Sequence, residues 1–189
     1  RLVGSEMCIR DSSGSGALAL AIAHRLPAAE VVAVEVDDAA LTWLRRNVER
    51  LGPAGRVHVH RADVTDHDAM SALFDDASVD LVVSNPPYVP TAATVSAEVA
   101  HDPDIAVYGG PDGMQVIRPM ITEIARVLVP GGSVAIEHDD TTADLVVQEL
   151  TDAKVFAEIE SHRDLAGRPR FVTAVRSTGV SGRSARHPD

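Results

Sequence analysis

Short apolar runs alternate with helical patterns along most of this chain, and that alternation limits its possible folds more than any other feature. The clearest run is Val31–Val36, in which only Glu35 interrupts the apolar residues. Runs of this kind are typical of strands that are buried on both faces of a sheet. Strands that alternate with helices form a doubly wound parallel sheet. We therefore predict an α/β protein with a mostly parallel sheet.

Apolar periodicity, with glycine and proline at the ends, gives the other elements. Further strands are predicted over 57–60, 79–84 and 133–137, and two late strands, 156–161 and 171–175, are expected to form an antiparallel hairpin. Helices are predicted over 17–26, 39–51, 66–74, 113–128 and 142–150. Pro130-Gly131-Gly132 is expected to end the fourth of these helices. The second helix should bury one face, made of Leu41, Leu44, Val48 and Leu51.

The two ends of the chain differ in character from the part between them. Residues 1–12 do not continue the pattern, and we interpret them as a non-native segment; the alternative is a native strand centred on Met7–Ile9. Residues 177–189 are rich in Ser, Gly and Arg and are expected to be disordered. A single domain is therefore predicted over 13–176, a length that allows a sizeable core.

Charge and composition make some classes of partner unfavourable. The net charge of −11 opposes non-specific binding to nucleic acid, and we expect no sequence-specific nucleic-acid binding either. No apolar run is long enough to cross a bilayer, so no membrane partner is expected. The single cysteine, Cys8, cannot form an internal disulfide, which favours a reducing, cytoplasmic compartment. No metal site is predicted.

Three features at predicted strand ends suggest a nucleotide-like cofactor. Gly14-Ser15-Gly16 opens the first helix, where free N–H groups and close backbone approach suit a ligand. Glu35 ends the next strand, where an acid can accept hydrogen bonds from ribose hydroxyls; the alternative is a solvated strand end. Asp63 follows the third strand and could accept from an adenine amino group or cap the following helix. These features predict an adenosine cofactor and leave a nicotinamide or a sulfonium open.

Asn85-Pro86-Pro87-Tyr88 directly follows the predicted strand 79–84 and indicates the chemistry. The prolines remove N–H donors and leave carbonyl acceptors, and Asn85 adds a side-chain carbonyl. Two acceptors suit the two donors of an –NH₂ group, and Tyr88 offers an aromatic face to a planar group. A plain strand-ending turn is the alternative. The motif predicts a site for a planar amide or amine nitrogen.

The motif resembles the signature of methyltransferases that act on amide or exocyclic nitrogens. Three more segments, Glu98–Met114, Leu128–His138 and Arg163–Arg170, are similar to the release factor glutamine methyltransferase family. The resemblance runs from about Ser13 to Val175. It implies a class I, Rossmann-like fold, S-adenosyl-L-methionine as the cofactor and peptide chain release factors as the protein substrate. It also implies cofactor contacts at Gly14, Ser15, Gly16, Glu35, Asp63 and Asn85, and acceptor contacts and catalysis at Asn85, Pro86, Pro87 and Tyr88.

The chain departs from the family at its first motif. Alignment on Gly14-Ser15-Gly16 puts Arg10 at the position of the family's acid and Asp11 at that of an apolar residue. We therefore expect the family's first strand and N-terminal helical domain to be missing. Three other functions are considered: an adenine methyltransferase acting on nucleic acid, a truncated cofactor-binding domain without turnover, and a nicotinamide oxidoreductase. The last leaves the Asn85–Tyr88 motif unexplained.

Overall fold

A computed structural model describes residues 7–11, 13–53, 55–93 and 103–179, the first range as backbone only. Its elements are β1 (Met7–Asp11), α1 (Ala17–Arg25), β2 (Glu30–Glu35), α2 (Asp38–Leu51), β3 (Val57–Arg61), α3 (His67–Leu73), β4 (Val79–Ser84), α4 (Asp104–Val107), α5 (Ile117–Val127), β5 (Leu128–Glu137), α6 (Ala143–Asp152), β6 (Phe156–Arg163) and β7 (Pro169–Arg176). The predicted order of strands and helices is confirmed from α1 onward. No described helix is both long enough and apolar enough to span a bilayer.

The seven described strands form one sheet in the order β3-β2-β1-β4-β5-β7-β6. The strands β1 to β5 run parallel to one another, and β7 pairs antiparallel with both β5 and β6. The antiparallel hairpin predicted for the late strands is therefore confirmed. Strand order reverses between β1 and β4, which is where ligands bind in doubly wound sheets.

Two apolar clusters fill the space between this sheet and the helices. Ala19 and Ala23 of α1 and Leu41 and Leu44 of α2 pack on Val31 and Ala33 on one face. On the opposite face, α3, α5 and α6 pack on the alternate residues of β2, β4, β5 and β7, among them Val32, Val82, Val134, Ile136 and Val172. The small residues of α1 let it lie close to the sheet, so the turn before it is held firmly against the ends of β1 and β2.

The segment read as non-native forms part of the sheet. Met7–Asp11 is a strand that pairs with β2 on one side and β4 on the other. The expectation that a first strand is missing is therefore wrong for the backbone, since these residues complete the centre of the sheet. That residues 1–12 are non-native stays a prediction. Of the tail, residues 180–189 lie outside the described part, whereas the backbone N–H of Ser177 donates to Val155 at 2.8 Å.

The predicted end of the fourth helix and the predicted start of the strand after it are wrong, and one residue of a predicted buried face is exposed. The strand β5 begins at Leu128 because Leu128 pairs with Val79, and a register shift then carries the strand through Pro130, Gly131 and Gly132. These residues therefore lie within a strand, where they do not serve as the end of a helix. On α2, Leu51 is 55% exposed, because the helix runs past the edge of the sheet at its last turn.

Candidate functional site

The turn Gly14-Ser15-Gly16 joins the central strand to α1 and takes the backbone shape that glycine allows. Gly14 and Gly16 have φ values of 52° and 87°. A side chain at Gly16 would overlap Leu44 of α2, whereas no atom lies within 4 Å of the Cβ position at Gly14. Among the described residues, the turn is thus closely packed against α2 at Gly16 and open at Gly14. Since α1 has no side-chain cap, its first N–H groups have no such partner at the open side.

Glu35 ends β2 beside this turn, and its carboxylate is buried at 8% exposure. One oxygen, Oε2, accepts from the backbone N–H of Gly14 at 2.7 Å. The other, Oε1, accepts from Val36 at 2.9 Å and Asp37 at 3.0 Å. The alternative of a solvated strand end is therefore wrong. The three N–H groups hold the acid in one orientation directly beside the glycine turn.

The acceptor capacity of Glu35 limits what it can bind. A carboxylate offers about four acceptor positions, and backbone N–H groups occupy three of them here. One further hydroxyl can therefore bind without breaking any of these bonds. The second hydroxyl of a ribose would have to share Glu35 with one of the backbone groups or bind elsewhere. With the open space over Gly14, this arrangement fits an adenosine group held by its ribose.

Asp63 lies after β3, at the sheet edge, and is exposed. Its Oδ1 accepts from the backbone N–H and the hydroxyl of Thr65, at 2.8 and 2.7 Å. The N-cap of α3 is Asp66, whose side chain accepts from Asp68 and Ala69. The capping alternative for Asp63 is therefore wrong. Contact with an adenine amino group stays a prediction, and the exposed carboxylate does not oppose it.

Asn85 follows β4 at the same height in the sheet as Glu35. Arg10 of β1 pairs with Ala33 on one side and Val83 on the other, so the positions two residues further, Glu35 and Asn85, are also level. They are two strands apart, or about 10 Å between backbones. Asn85 is exposed, and its side chain has no hydrogen bond within the described part of the chain. Glu35 and Asn85 thus lie at the same edge of the sheet, on either side of the end of β1, and we call the space over this edge the crevice.

The remainder of the motif is held by the turn that precedes α5. A Cβ at Gly109 would lie 2.6 Å from the Pro87 carbonyl oxygen, so only glycine permits this close approach. Val89 and Val107 are joined by a backbone hydrogen bond of 2.9 Å. Arg118 of α5 binds Asp112 in this turn at 2.6 Å. The described part of the long connection therefore supports the motif, and residues 94–102, including the start of the predicted segment Glu98–Met114, lie outside the described part.

Tyr88 is half-buried, and its hydroxyl is used within the protein. It donates to Oε1 of Glu137, at the end of β5, at 3.0 Å. Burial, followed by the neighbouring Glu137 carboxylate, raises the pKa of Tyr88 to about 12. The phenol therefore stays protonated, and the ring is what it can present to a ligand. The sequence reasoning missed Glu137, although it carries the same signal as Glu35: an acid at the last position of an apolar strand.

His138 follows Glu137 and is fully buried. Its Nδ1 lies 2.7 Å from the carbonyl oxygen of Asp139, and its Nε2 has no partner among the described residues. Burial lowers the pKa of His138 below its ordinary value of 6.5. A neutral imidazole is therefore expected at neutral pH.

Comparisons with known proteins agree on the fold. A family model described as "Methyltransferase small domain" matches residues 9–102. A methyltransferase from Pyrococcus furiosus superposes with a TM-score of 0.66 at 20% identity, covering 95% of this chain and 78% of that one. A predicted O-methyltransferase from Agrobacterium tumefaciens superposes with a TM-score of 0.65 at 21% identity, covering 90% of this chain and 73% of that one. With the glycine turn and the buried acid, these define a class I S-adenosylmethionine-dependent methyltransferase fold.

Sequence relatives narrow the class to one family. The release factor glutamine methyltransferase of Mycolicibacterium smegmatis is 50% identical over 165 residues, which cover 87% of this chain and 57% of the relative. That of Mycobacterium tuberculosis is 48% identical over 170 residues, covering 87% and 54%. By sequence, the chain belongs to the release factor glutamine methyltransferase family. It spans little more than half the length of these relatives.

Proposed function

We propose that the chain carries the catalytic domain of an S-adenosyl-L-methionine-dependent methyltransferase that modifies the side-chain amide of a glutamine in peptide chain release factors. One observation carries this proposal. An exposed asparagine whose side chain has no hydrogen bond among the described residues lies in the motif for a planar nitrogen, level with a buried acid beside an open glycine turn. Family membership supports the substrate class, because the relatives are named for it.

On the cofactor side, Glu35 would accept a ribose hydroxyl, and Gly14, Ser15 and Gly16 would let the remainder of the molecule approach the start of α1. Asp63 would lie beside the adenine. The bound cofactor supplies an electrophilic methyl group on a sulfonium. This part of the site is built from backbone and two carboxylates, so its task is binding and orientation.

On the acceptor side, the Asn85 side-chain oxygen and the Pro86 carbonyl would each accept one N–H of the glutamine amide. An amide nitrogen is a poor nucleophile, because its lone pair is delocalised into its own carbonyl. Fixing both N–H groups aims the nitrogen at the methyl group, and such positioning can lower a barrier by up to about 7–11 kcal/mol. The same oxygens stabilise the positive charge that develops on nitrogen. The N–C bond forms as the C–S bond breaks, and one proton then leaves the nitrogen for water.

The test is mass spectrometry after incubation with methyl-labelled cofactor. The acceptors are a release factor, the same factor with its candidate glutamine changed to glutamate, and adenine-containing DNA. We expect one labelled methyl on the glutamine side chain and none on the other two. Label on DNA adenine alone would support the rival adenine methyltransferase. Cofactor binding without label on any acceptor would support a binding domain without turnover.

A further inference from the structure

The orientation of the Tyr88 ring depends on two other strands. Tyr88 lies in the loop after β4, whereas the residue that receives its hydroxyl proton, Glu137, ends β5. The backbone next to Tyr88 is held by the turn before α5, and this 3.0 Å bond fixes the direction of the side chain relative to the sheet. The hydroxyl is bonded within the protein, which leaves the ring as the part that can form a wall.

Arg170 of β7 lies beside this pair. Its guanidinium is 3.5 Å from Oδ2 of Asp164, and it interacts electrostatically with Tyr88 and Glu137. Burial lowers the pKa of Arg170, but Tyr88, Asp164 and Glu137 together outweigh that effect and raise it. The guanidinium is therefore a cation beside the carboxylates of Asp164 and Glu137.

The backbone around the pair is also fixed. Glu137 is opposite Phe171 in the β5–β7 ladder, and the N–H of His138 donates to the Arg170 carbonyl at 3.0 Å. Both supporting side chains therefore project from paired strands. Sites built on strands hold their geometry better than sites built on loops.

We propose that Glu137 and Arg170 are positioning residues that hold the Tyr88 ring as one wall of the acceptor slot. They touch neither cofactor nor substrate and act through the Tyr88 hydroxyl. The inference rests on the proposed function, since it assigns the wall of that acceptor site. It assigns catalytic importance to two residues outside the Asn85–Tyr88 motif.

The first test is a double-mutant cycle on turnover of the glutamine substrate. Tyr88→Phe keeps the ring and loses the tether, and Glu137→Ala loses the tether from the other side. Each should lower kcat about tenfold with unchanged cofactor affinity, and the double variant should be no slower than either single one. Glu137→Gln keeps a carbonyl acceptor and should recover most of the activity. Glu160→Ala, an exposed acid on β6, is the control and should behave as wild type.

A second measurement does not depend on turnover. The chain has two tyrosines, so ring-labelled tyrosine gives two sets of NMR signals, and Tyr88→Phe identifies the set that belongs to Tyr88. We expect an ordered Tyr88 ring in wild type and increased ring motion in Glu137→Ala and in Arg170→Ala. If the ring is equally ordered in all three, or if the kcat losses add in the cycle, the inference is wrong. If the Tyr88 ring becomes mobile in the variants but the wild-type protein methylates no glutamine, only the proposed function is refuted.

Discussion

The two ends of the crevice are built in opposite ways. Glu35, at the cofactor end, is 8% exposed and receives three backbone N–H groups, so the fold itself determines its position. Asn85, at the acceptor end, is exposed and has no side-chain hydrogen bond within the described residues. A group that always binds the same small molecule can be fixed in advance. A group that must bind part of another macromolecule has to be left accessible, and its partners arrive with the substrate.

The largest effect is expected at the open end. Asn85→Ala removes one of the two acceptors for the reacting amide, so turnover should fall by about 10²-fold. Cofactor affinity should stay nearly constant, because the residue acts on the transferring nitrogen. Turnover and calorimetry on the same preparation give the answer. A parallel loss of cofactor binding would mean that Asn85 supports the fold of the crevice.

At the closed end, Glu35→Ala should weaken cofactor binding by about 1–3 kcal/mol, the cost of losing charge-assisted hydrogen bonds. The variant also leaves three backbone N–H groups without their acceptor, so its melting temperature should fall as well. Glu30→Ala, at the exposed start of the same strand, is the matched control. Calorimetry decides the point: unchanged affinity, or tighter binding of NAD than of the sulfonium cofactor, would overturn the assignment.

The central strand allows a smaller test of the same end. The resemblance puts Arg10 where the family has an acid, and a cation there would repel the positively charged sulfonium. Arg10→Asp should therefore tighten cofactor binding by severalfold and increase the cofactor's effect on the melting temperature. Equal melting curves and equal cofactor shifts for the two proteins would show that Arg10 is compatible with the site.

The smallest effect concerns His138, behind the acceptor end. Its pKa is lowered by burial, so between that value and 6.5 the unfolded chain binds a proton that the folded chain does not. The stability contributed by neutral His138 is thus present above 6.5 and is lost as pH falls below it. Melting temperatures measured from pH 7.5 to 5 should fall less steeply for His138→Asn than for wild type. The exposed His24→Asn is the control, and identical slopes for His138→Asn and wild type would contradict the account.

The apolar periodicity of the sequence predicted the strands and helices that are determined by neighbouring residues. The run at Val31–Glu35 predicted a buried strand and the alanine-rich segment before it predicted a helix, and the structure confirms both elements. The start of β5 was missed because Pro130 and Gly131 signal a break, and only pairing with Val79 shows that the strand passes through them. Capping by Asp63 stayed open from the sequence because both Asp63 and Asp66 precede α3, and the structure shows that Asp66 is the cap.

The acceptor end was less predictable for a physical reason. The motif identifies Asn85 and Tyr88, but the contacts that orient Tyr88 come from Glu137 and Arg170, far away in sequence. No periodicity links these residues, because they meet only when β5 and β7 pair. The motif thus predicts which groups act, and it does not indicate what holds them.

The division of labour between the two ends is tested most directly by cofactor binding to the double variant Glu35→Ala/Asn85→Ala. The two residues are two strands apart and share no partner, so their effects on cofactor affinity should be independent. We expect a cofactor Kd equal to that of Glu35→Ala alone, with turnover reduced further by the Asn85→Ala factor. A Kd markedly weaker than that of Glu35→Ala would show that Asn85 holds the cofactor, and would contradict the separation of binding from acceptor recognition.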